Sequence, residues 1–339
     1  MKKRFFCFLL CLMLLPLCSR AESKRYQASF MGLFNTVTII VGYAESEEDF
    51  RALSQQIYDE LEIYHQLYDI YHSYEGMNNL KTINDQAGIA PVRVDKKIME
   101  LMIFCRDMYE KNQGMVNAAM GSVLSLWHEA RLYSIDTPEE AYLPEESLLK
   151  AAAGHMDFSQ IILDENASTV FIPDPLMRLD VGALGKGFAV EKVCQSLPDG
   201  LLLSVGGNIR ATGRNPVTGN CWTAGVQNPE NQWAPYLHVV WMDGVSVVTS
   251  GDYQRYYTVD GVRYGHIIDP RTLYPTGLWR AVCILAGDSG VADALSTALY
   301  LLPREEGQVL LDTFNAHALW IAPDGTEYFS PGFKNYIRQ

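Results

Sequence analysis

The chain has 339 residues, with 27 Lys and Arg against 40 Asp and Glu, for a formal charge of −13. That acidity excludes a general nucleic-acid binder, whose phosphate contacts demand a basic footprint. Ordinary apolar and charged fractions, 48% and 20%, exclude a disordered or fibrous chain, and the length allows one large domain or two intimate ones.

The N-terminus, MKKRFFCFLLCLMLLPLCSRAES, carries Lys2, Lys3 and Arg4 and then an apolar run from Phe5 to Leu17. Thirteen residues fall short of the roughly 20 that a spanning helix needs, so the pattern predicts a secretory signal at 1–21 ahead of a domain at 22–339. Two processing routes are open: small-x-small cleavage at Ser19-Arg20-Ala21, or lipidation of Cys18 in the lipobox-like LPLC, where Leu17 is bulkier than such sites usually hold. Loss of residues 1–20 removes four cations and deepens the charge to −17. The expected location is the periplasm or the extracytoplasmic face of the membrane, with a lipid anchor at Cys18 as one route. Cys105, Cys194, Cys221 and Cys283 are scattered in apolar sequence without a CxxC. They read as buried thiols, with one chance disulfide left open and no zinc site.

Leu33–Tyr43 is β-branched and predicts a strand. Between Ser46 and His72, Phe50, Leu53, Ile57, Leu61, Tyr64, Leu67 and Tyr71 recur every three or four residues, predicting a long amphipathic helix. A polar loop with a short helical piece follows. Asp95 caps a second helix with Ile98, Leu101, Met102, Cys105 and Met108 inward. A third spans Met120–Tyr133, and PEESLLKAAAG predicts a fourth. DVGALGKGFAVEKV opens what reads as another amphipathic helix. Short β runs fill Ile161–Ile172, Leu201–Thr212, Cys221–Gln227 and Tyr236–Arg263, and a strand at Ala281–Ala286 leads into the helix SGVADALSTALYLL. Helix-rich, then strand-rich, then mixed sequence without a linker predicts a single α+β domain of interleaved helical and mixed-sheet halves.

Several stretches suit chemistry. In DVGALGKGFAVEKV, glycines and a lysine at a helix start favour an anion, yet neither a P-loop nor a GxGxxG can be laid on it. Asp293 and Thr297 share one helical face and offer hard oxygens suited to Mg²⁺ with phosphate. The alternative is a first-turn acid after an N-cap at Ser289, with a surface threonine. His266 stands at the end of a β run as a candidate base or phosphate contact, or as part of a plain strand and turn in which Asp269 bonds its own backbone. LLLSVGGNIRATG reads as a buried strand broken at Gly206-Gly207, where a ligand or another strand approaches.

Together, DVGALGKGFAVEKV, LLLSVGGNIRATG, TSGDYQRYYTVDGVRYGHIIDPRTLYPTG and ADALSTAL, in this order, resemble the FAD:protein FMN transferases, the ApbE family. The resemblance runs from MGLFNTVTI to the C-terminal strands. It implies an ApbE-like, T-fold-related domain that takes FAD as substrate with Mg²⁺ at the pyrophosphate. Such an enzyme expels AMP and attaches FMN through a phosphoester to a Ser or Thr of an acceptor protein. That acceptor carries a short Asp-xx-Ser/Thr-Gly-Ala-type motif and is often a membrane redox subunit. Carried over, the metal ligands are Asp293, Thr297 and the backbone oxygen of Ala183. FAD contacts are Met31, Tyr74, Met115, Val116, Asn117, Asp180, Lys186, His266 and Ile267. His266 is the candidate base, with Lys186 and Asp293 beside it in the catalytic set. Without the resemblance, Met31 and Tyr74 read as core, Asp180 as a strand-end turn acid and Lys186 as a solvated helix residue. Three positions depart from the family: Asn117 replaces an Asp, Leu273 a Gly after DPRT, and Gly185 an Ala. Two other readings stand beside the transferase, a metal-dependent FAD pyrophosphatase and a non-catalytic FAD-binding lipoprotein.

Overall fold

The computed structural model describes residues 23–230, 233–253 and 255–339, and the signal segment with Cys18 and Ala21 lies outside the described residues. The described chain begins with an antiparallel pair, β1 (Lys24–Met31) and β2 (Val37–Ala44). The strand expected from Leu33 starts later, because Leu33–Asn35 forms a 3-10 turn with Phe34 and Asn35 at φ 51° and 54°. α1 (Glu47–Tyr68) opens at Ser46, whose Oγ accepts from the Asp49 amide at 3.1 Å, a favoured N-cap. α2 (Leu80–Asp85) and β3 (Val92–Arg93) follow. α3 (Lys96–Lys111) is capped by Asp95 and buries Ile98, Leu101, Met102, Cys105 and Met108, as their spacing predicts.

α4 (Gly121–Asp136) and α5 (Glu146–Ala153) precede β4 (Ile162–Asp164) and β5 (Thr169–Phe171), which pair with β3. α6 (Gly185–Cys194) is not amphipathic: residues 187–191 are all buried, since it is packed between α1 and the strands on one side and another helix on the other. β6 (Leu202–Val205) and β7 (Asn208–Ala211) form a hairpin. Gly206 and Gly207, at φ 57° and 90°, are its two-residue turn, for which positive φ is required. The close approach there is Thr36, whose Oγ1 lies 2.7 Å from where a Cβ of Gly206 would stand.

β8 (Trp222–Gln227) and β9 (Tyr236–Met242) make a separate hairpin, and β10 (Ser246–Gly251) returns to the main sheet. β11 (Tyr256–Val259) and β12 (Val262–Gly265) form a small ribbon. β13 (Ala281–Ala286) leads into α7 (Ser289–Leu301). The cap of α7 is Asp288, accepting from the Val291 amide at 2.9 Å, and not Ser289. Asp293 therefore stands beyond the first turn, and the first-turn dipole role expected as its alternative does not apply. α8 (Arg304–Phe314), unannounced in the sequence, precedes β14 (His317–Ile321) and β15 (Glu327–Phe329).

The main sheet runs β1-β2-β6-β7-β10-β13-β14-β15, antiparallel at every pairing. Period-two alternation sends Val282, Ile284 and Ala286 of β13 toward the helices, and Ala281, Cys283 and Leu285 toward the β8–β9 hairpin. The sheet is thus covered on both faces, and the fold is α+β in one domain. A third cluster joins α4 and α5 to β11 and the following loop through Val123, Trp127, Leu149, Tyr257 and Ile268. Cys105, Cys194, Cys221 and Cys283 are free thiols. Among the described residues no helix is long and apolar enough to cross a membrane.

Candidate active site

The first motif is decided by how closely α6 approaches α7. A Cβ on Gly187 would fall 2.3 Å from the Ser289 carbonyl oxygen and 2.5 Å from Asp293 Cβ, so only glycine lets the two helices meet here. The meeting redirects a backbone hydrogen bond. The Gly187 N–H, which an ordinary helix start would aim at the Ala183 carbonyl, donates instead to Asp293 Oδ2 at 2.8 Å. The Ala183 carbonyl then accepts no hydrogen bond among the described residues. Neither Asp293 Oδ1 nor Thr297 Oγ1 has a hydrogen-bond partner there either. Lys186 is set over the turn, donating to the Gly182 carbonyl at 3.2 Å with its Nζ 3.7 Å from Asp293 Oδ2. Glu191, buried one turn later, accepts from the Ser289 amide at 2.8 Å and pairs with Arg210 at 3.0 Å, fixing the start of α7 against α6.

Three unsatisfied oxygens beside one lysine form a coherent set. Ala183 and Thr297 are half-buried, and one carboxylate with one carbonyl and one hydroxyl suits Mg²⁺ that also takes water and phosphate oxygens. Among the described residues no group of three or more His, Cys, Asp or Glu could hold a metal.

The second wall comes from the segment around Asn117. The Asp180 amide donates to the Ala118 carbonyl at 2.8 Å and the Gly121 amide to the Arg178 carbonyl at 3.0 Å, so 118–121 runs beside 178–180. Asp180 Oδ1 accepts from the Gly182 amide at 2.8 Å and shapes the turn into α6, while desolvation pushes its carboxyl above the usual range. Asn117 uses both ends of its amide: Oδ1 accepts from the Ala119 amide at 2.9 Å and Nδ2 donates to the Met156 carbonyl at 2.6 Å. An aspartate could make only the first bond. Met115 and Val116 are buried, so any ligand there meets their backbone.

Tyr74 donates to Asp69 Oδ2 at 2.9 Å, in a loop that Asp69 organises by also accepting from the Tyr71 and His72 amides. Burial and that hydrogen bond push the Tyr74 phenol up to about 12. Met31, 81% exposed, is not core. It ends β1 just before the strained turn that the Phe34 amide ties to His65 Nδ1 at 3.3 Å.

His266 follows β12. Its Nδ1 lies 3.1 Å from the Arg255 carbonyl. A carbonyl only accepts, so Nδ1 carries the proton and Nε2 keeps its lone pair. The ring keeps solvent access, yet the protein around it desolvates it, and with the charge of Arg255 this holds the imidazole down to about 4. Arg131 and Lys186 add to the same field. Ile267 is buried next to it. Asp269 Oδ1 accepts from the Arg271 amide at 2.8 Å, the backbone role expected of it, and Arg271 in turn donates to the Leu301 carbonyl at 2.9 Å. Leu273 sits at φ 66°, a left-handed conformation that explains why glycine suits that position. Sequence reading did not single out Arg131, or Arg255 within TSGDYQRYYTVDGVRYGHIIDPRTLYPTG; α4, which carries Arg131, packs on β11, which Arg255 precedes. Two surface grooves of about 470 and 460 Å³, along α1 and beside β15, hold none of these residues.

With this geometry in place, comparison with known proteins is informative. The model of the ApbE family matches residues 31–320. A FAD:protein FMN transferase of Treponema pallidum is 36% identical over 277 residues, covering 76% of this chain and 75% of its own. One from Klebsiella pneumoniae is 28% identical, covering 76% and 77%. The solved ApbE protein of Thermotoga maritima superposes with a TM-score of 0.82 at 25% identity, over 93% of this chain and all of its own. The flavin transferase ApbE of Vibrio cholerae, at 22% identity and a TM-score of 0.77, shares the fold. The chain belongs to the ApbE family.

Proposed function

We propose that the protein is an FAD:protein FMN transferase, moving FMN from FAD to a Ser or Thr hydroxyl of an acceptor protein and releasing AMP. The family supports the reaction. The observation that supports it in this chain is that the Ala183 carbonyl, Asp293 Oδ1 and Thr297 Oγ1 have no hydrogen-bond partner among the described residues, with Lys186 Nζ 3.7 Å from Asp293 Oδ2. Those three residues would hold Mg²⁺, whose chemistry there is to neutralise the oxygens of the FAD diphosphate. Lys186 binds the same diphosphate as a point charge. Asp180, Tyr74 and the backbone of 115–117 line the cleft in which the flavin half is held.

In the transfer, the acceptor oxygen bonds to the phosphorus of the FMN half and the P–O bond to AMP breaks. AMP departs with the bridging oxygen, and the acceptor proton passes to His266 Nε2. His266 is suited to this because the Arg255 carbonyl fixes its tautomer. Desolvation holds its basicity down most, and Lys186, one of the cations that adds to this, is the one an incoming diphosphate neutralises, so substrate binding raises it. Export, attachment through Cys18 and a membrane redox subunit as acceptor complete this reading.

The test is to incubate the purified protein with FAD, Mg²⁺ and a peptide bearing a flavinylation motif. An FMN-sized mass gain on the peptide is expected. FAD binding without that gain would overturn the proposal, and release of FMN and AMP without an acceptor would identify a pyrophosphatase.

A further inference from the structure

α6 and α7 exchange two hydrogen bonds of the same kind in opposite directions. Asp293 of α7 accepts from the Gly187 amide of α6 at 2.8 Å, and Glu191 of α6 accepts from the Ser289 amide of α7, also at 2.8 Å. Each helix thus gives one backbone N–H to a carboxylate of the other, about one turn apart, so the two run antiparallel along this seam. Both carboxylates are buried, Glu191 at 6% and Asp293 at 4% exposure. They differ in what else they meet. Glu191 Oε2 also accepts from Arg210 Nε at 3.0 Å and Oε1 from Gln195 Nε2 at 3.3 Å, so both its oxygens are used and its charge is paired. Asp293 Oδ1 has no hydrogen-bond partner among the described residues, and Lys186 Nζ stands 3.7 Å from Oδ2. One rung is closed and the other is open to a ligand.

The closed rung fixes where the open one stands. Ser289 is the first residue of α7, and Asp293 lies on the same face one turn further, since a Cβ on Gly187 would meet the Ser289 carbonyl oxygen and Asp293 Cβ together. Gly290 is also tightly seated, its Cβ position 3.2 Å from Phe188 Cα. Backbones packed this closely pass a displacement of the α7 start on to Asp293. The cap of α7, Asp288, belongs to the same segment and would move with it, so the tie of that end to α6 is Glu191. We propose that Glu191 is the positioning residue for Asp293: by holding the Ser289 amide it sets the register of α7 on α6 and leaves Asp293 Oδ1 open to a metal. Arg210 occupies the Glu191 carboxylate and keeps it out of the ligand set. The metal consequence rests on the Mg²⁺ site proposed above, whereas the register rests on the two hydrogen bonds alone.

The test compares Glu191→Gln, Glu191→Leu, Glu191→Leu combined with Arg210→Leu, and Ser289→Pro. Glutamine keeps an oxygen for both donors. Leucine removes it and strands Arg210, which the double variant relieves because an apolar pair can replace a buried ion pair. Proline deletes the amide N–H at the first helical position, which it favours, and the extended Asp288 before it (φ −128°, ψ 131°) accepts a following proline. The hydroxyl lost with Ser289 has no hydrogen-bond partner among the described residues. Hydrogen exchange of the Gly187 amide reads the register, calorimetric titration with Mg²⁺ alone reads the metal site, and thermal unfolding reads stability. Glu191→Gln should hold Mg²⁺ affinity within about 3-fold of the parent. The double variant and Ser289→Pro should lose about 10-fold or more and exchange the Gly187 amide faster by a similar factor, although the double variant melts above Glu191→Leu. Recovery of Mg²⁺ affinity together with Tm in the double variant would make Glu191 a charge balance and overturn the proposal. Parent-like exchange of Gly187 in Ser289→Pro would overturn it as well. Should Glu191→Leu fail to fold, the other three variants decide. A parent that binds no Mg²⁺ would refute the metal reading, and the exchange of Gly187 would still decide the register.

Discussion

Replacing Gly187 by Ala puts a methyl group into the seam between α6 and α7, at the one point where their backbones leave no room for it. The new Cβ would lie 2.3 Å from the Ser289 carbonyl oxygen, about 1.1 Å inside the 3.4 Å of an ordinary contact, and 2.5 Å from Asp293 Cβ. Both obstacles belong to or adjoin the backbone, so no side-chain rotation relieves them and the helices must separate. Overpacking of this kind costs about 1–3 kcal/mol. Stretching the 2.8 Å bond from the Gly187 amide to Asp293 adds roughly 1–2 kcal/mol for a hydrogen bond to a charged group. The total, about 2–5 kcal/mol, corresponds to a loss of roughly 3–7 °C in Tm for a chain of this size. Gly185→Ala is the internal control. Its Cβ would meet the Val181 side chain at 3.0 Å, a contact that can give, and alanine favours the helix by up to about 1 kcal/mol. Its Tm should stay within about 2 °C of the parent. The assay is thermal unfolding, followed by FAD turnover with Mg²⁺ supplied, at a temperature where both variants are folded. If Gly187→Ala melts with Gly185→Ala and keeps full turnover, the close approach of α6 and α7 does not hold the site, and the reasoning fails.

Three further outcomes follow from the site. Asp293→Asn keeps an oxygen for the Gly187 amide but removes the charge, so the fold should persist while turnover falls about 100-fold or more; calorimetric titration with Mg²⁺ and turnover within tenfold of the parent would contradict it. His266 is held down to about 4, so kcat/KM should stay level on the acid side to about pH 5, and an acid limb near 6.5 that vanishes in His266→Gln would refute a neutral imidazole. The sign for stability is matching: below pH 6.5 the unfolded histidine takes up a proton that the folded one refuses until about 4. Stability therefore falls through that window, and less so in His266→Gln. Asn117→Asp loses the donor to the Met156 carbonyl, 2.6 Å away, and should cost about 1–3 kcal/mol at neutral pH, partly recovered when the acid is protonated; urea unfolding at pH 4 and 7 measures both, and equal midpoints for variant and parent at pH 7 would contradict the bond.

Elements with one buried stripe were legible. α3 could be read residue by residue because its inward positions repeat at the helical period and Asp95 caps it. β13 was legible in both of its ends because an apolar run between turn signals has few other uses. α8 escaped because Gly307, Leu310 and Leu311 are its only buried residues, too few to make a stripe. α6 was misjudged because it is enclosed by neighbours that its own sequence does not name. The glycine pair at 206–207 signalled a tight place, but whether a ligand or a hairpin turn filled it depended on Thr36, far away in the chain.

The sequence by itself determined the family and the helical and extended segments with strong periodicity, and it supplied the residue types of the proposed site: one lysine, one carboxylate, one hydroxyl and a histidine. Tertiary structure alone decided which atoms are available. Ala183 keeps a free carbonyl only because α7 takes the Gly187 amide, and His266 keeps Nε2 only because the Arg255 carbonyl takes Nδ1. Local periodicity reports which face of a segment is dry. Hydrogen-bond partners and the field at a titrating group are set by segments distant in sequence, so they exist only once the chain has folded.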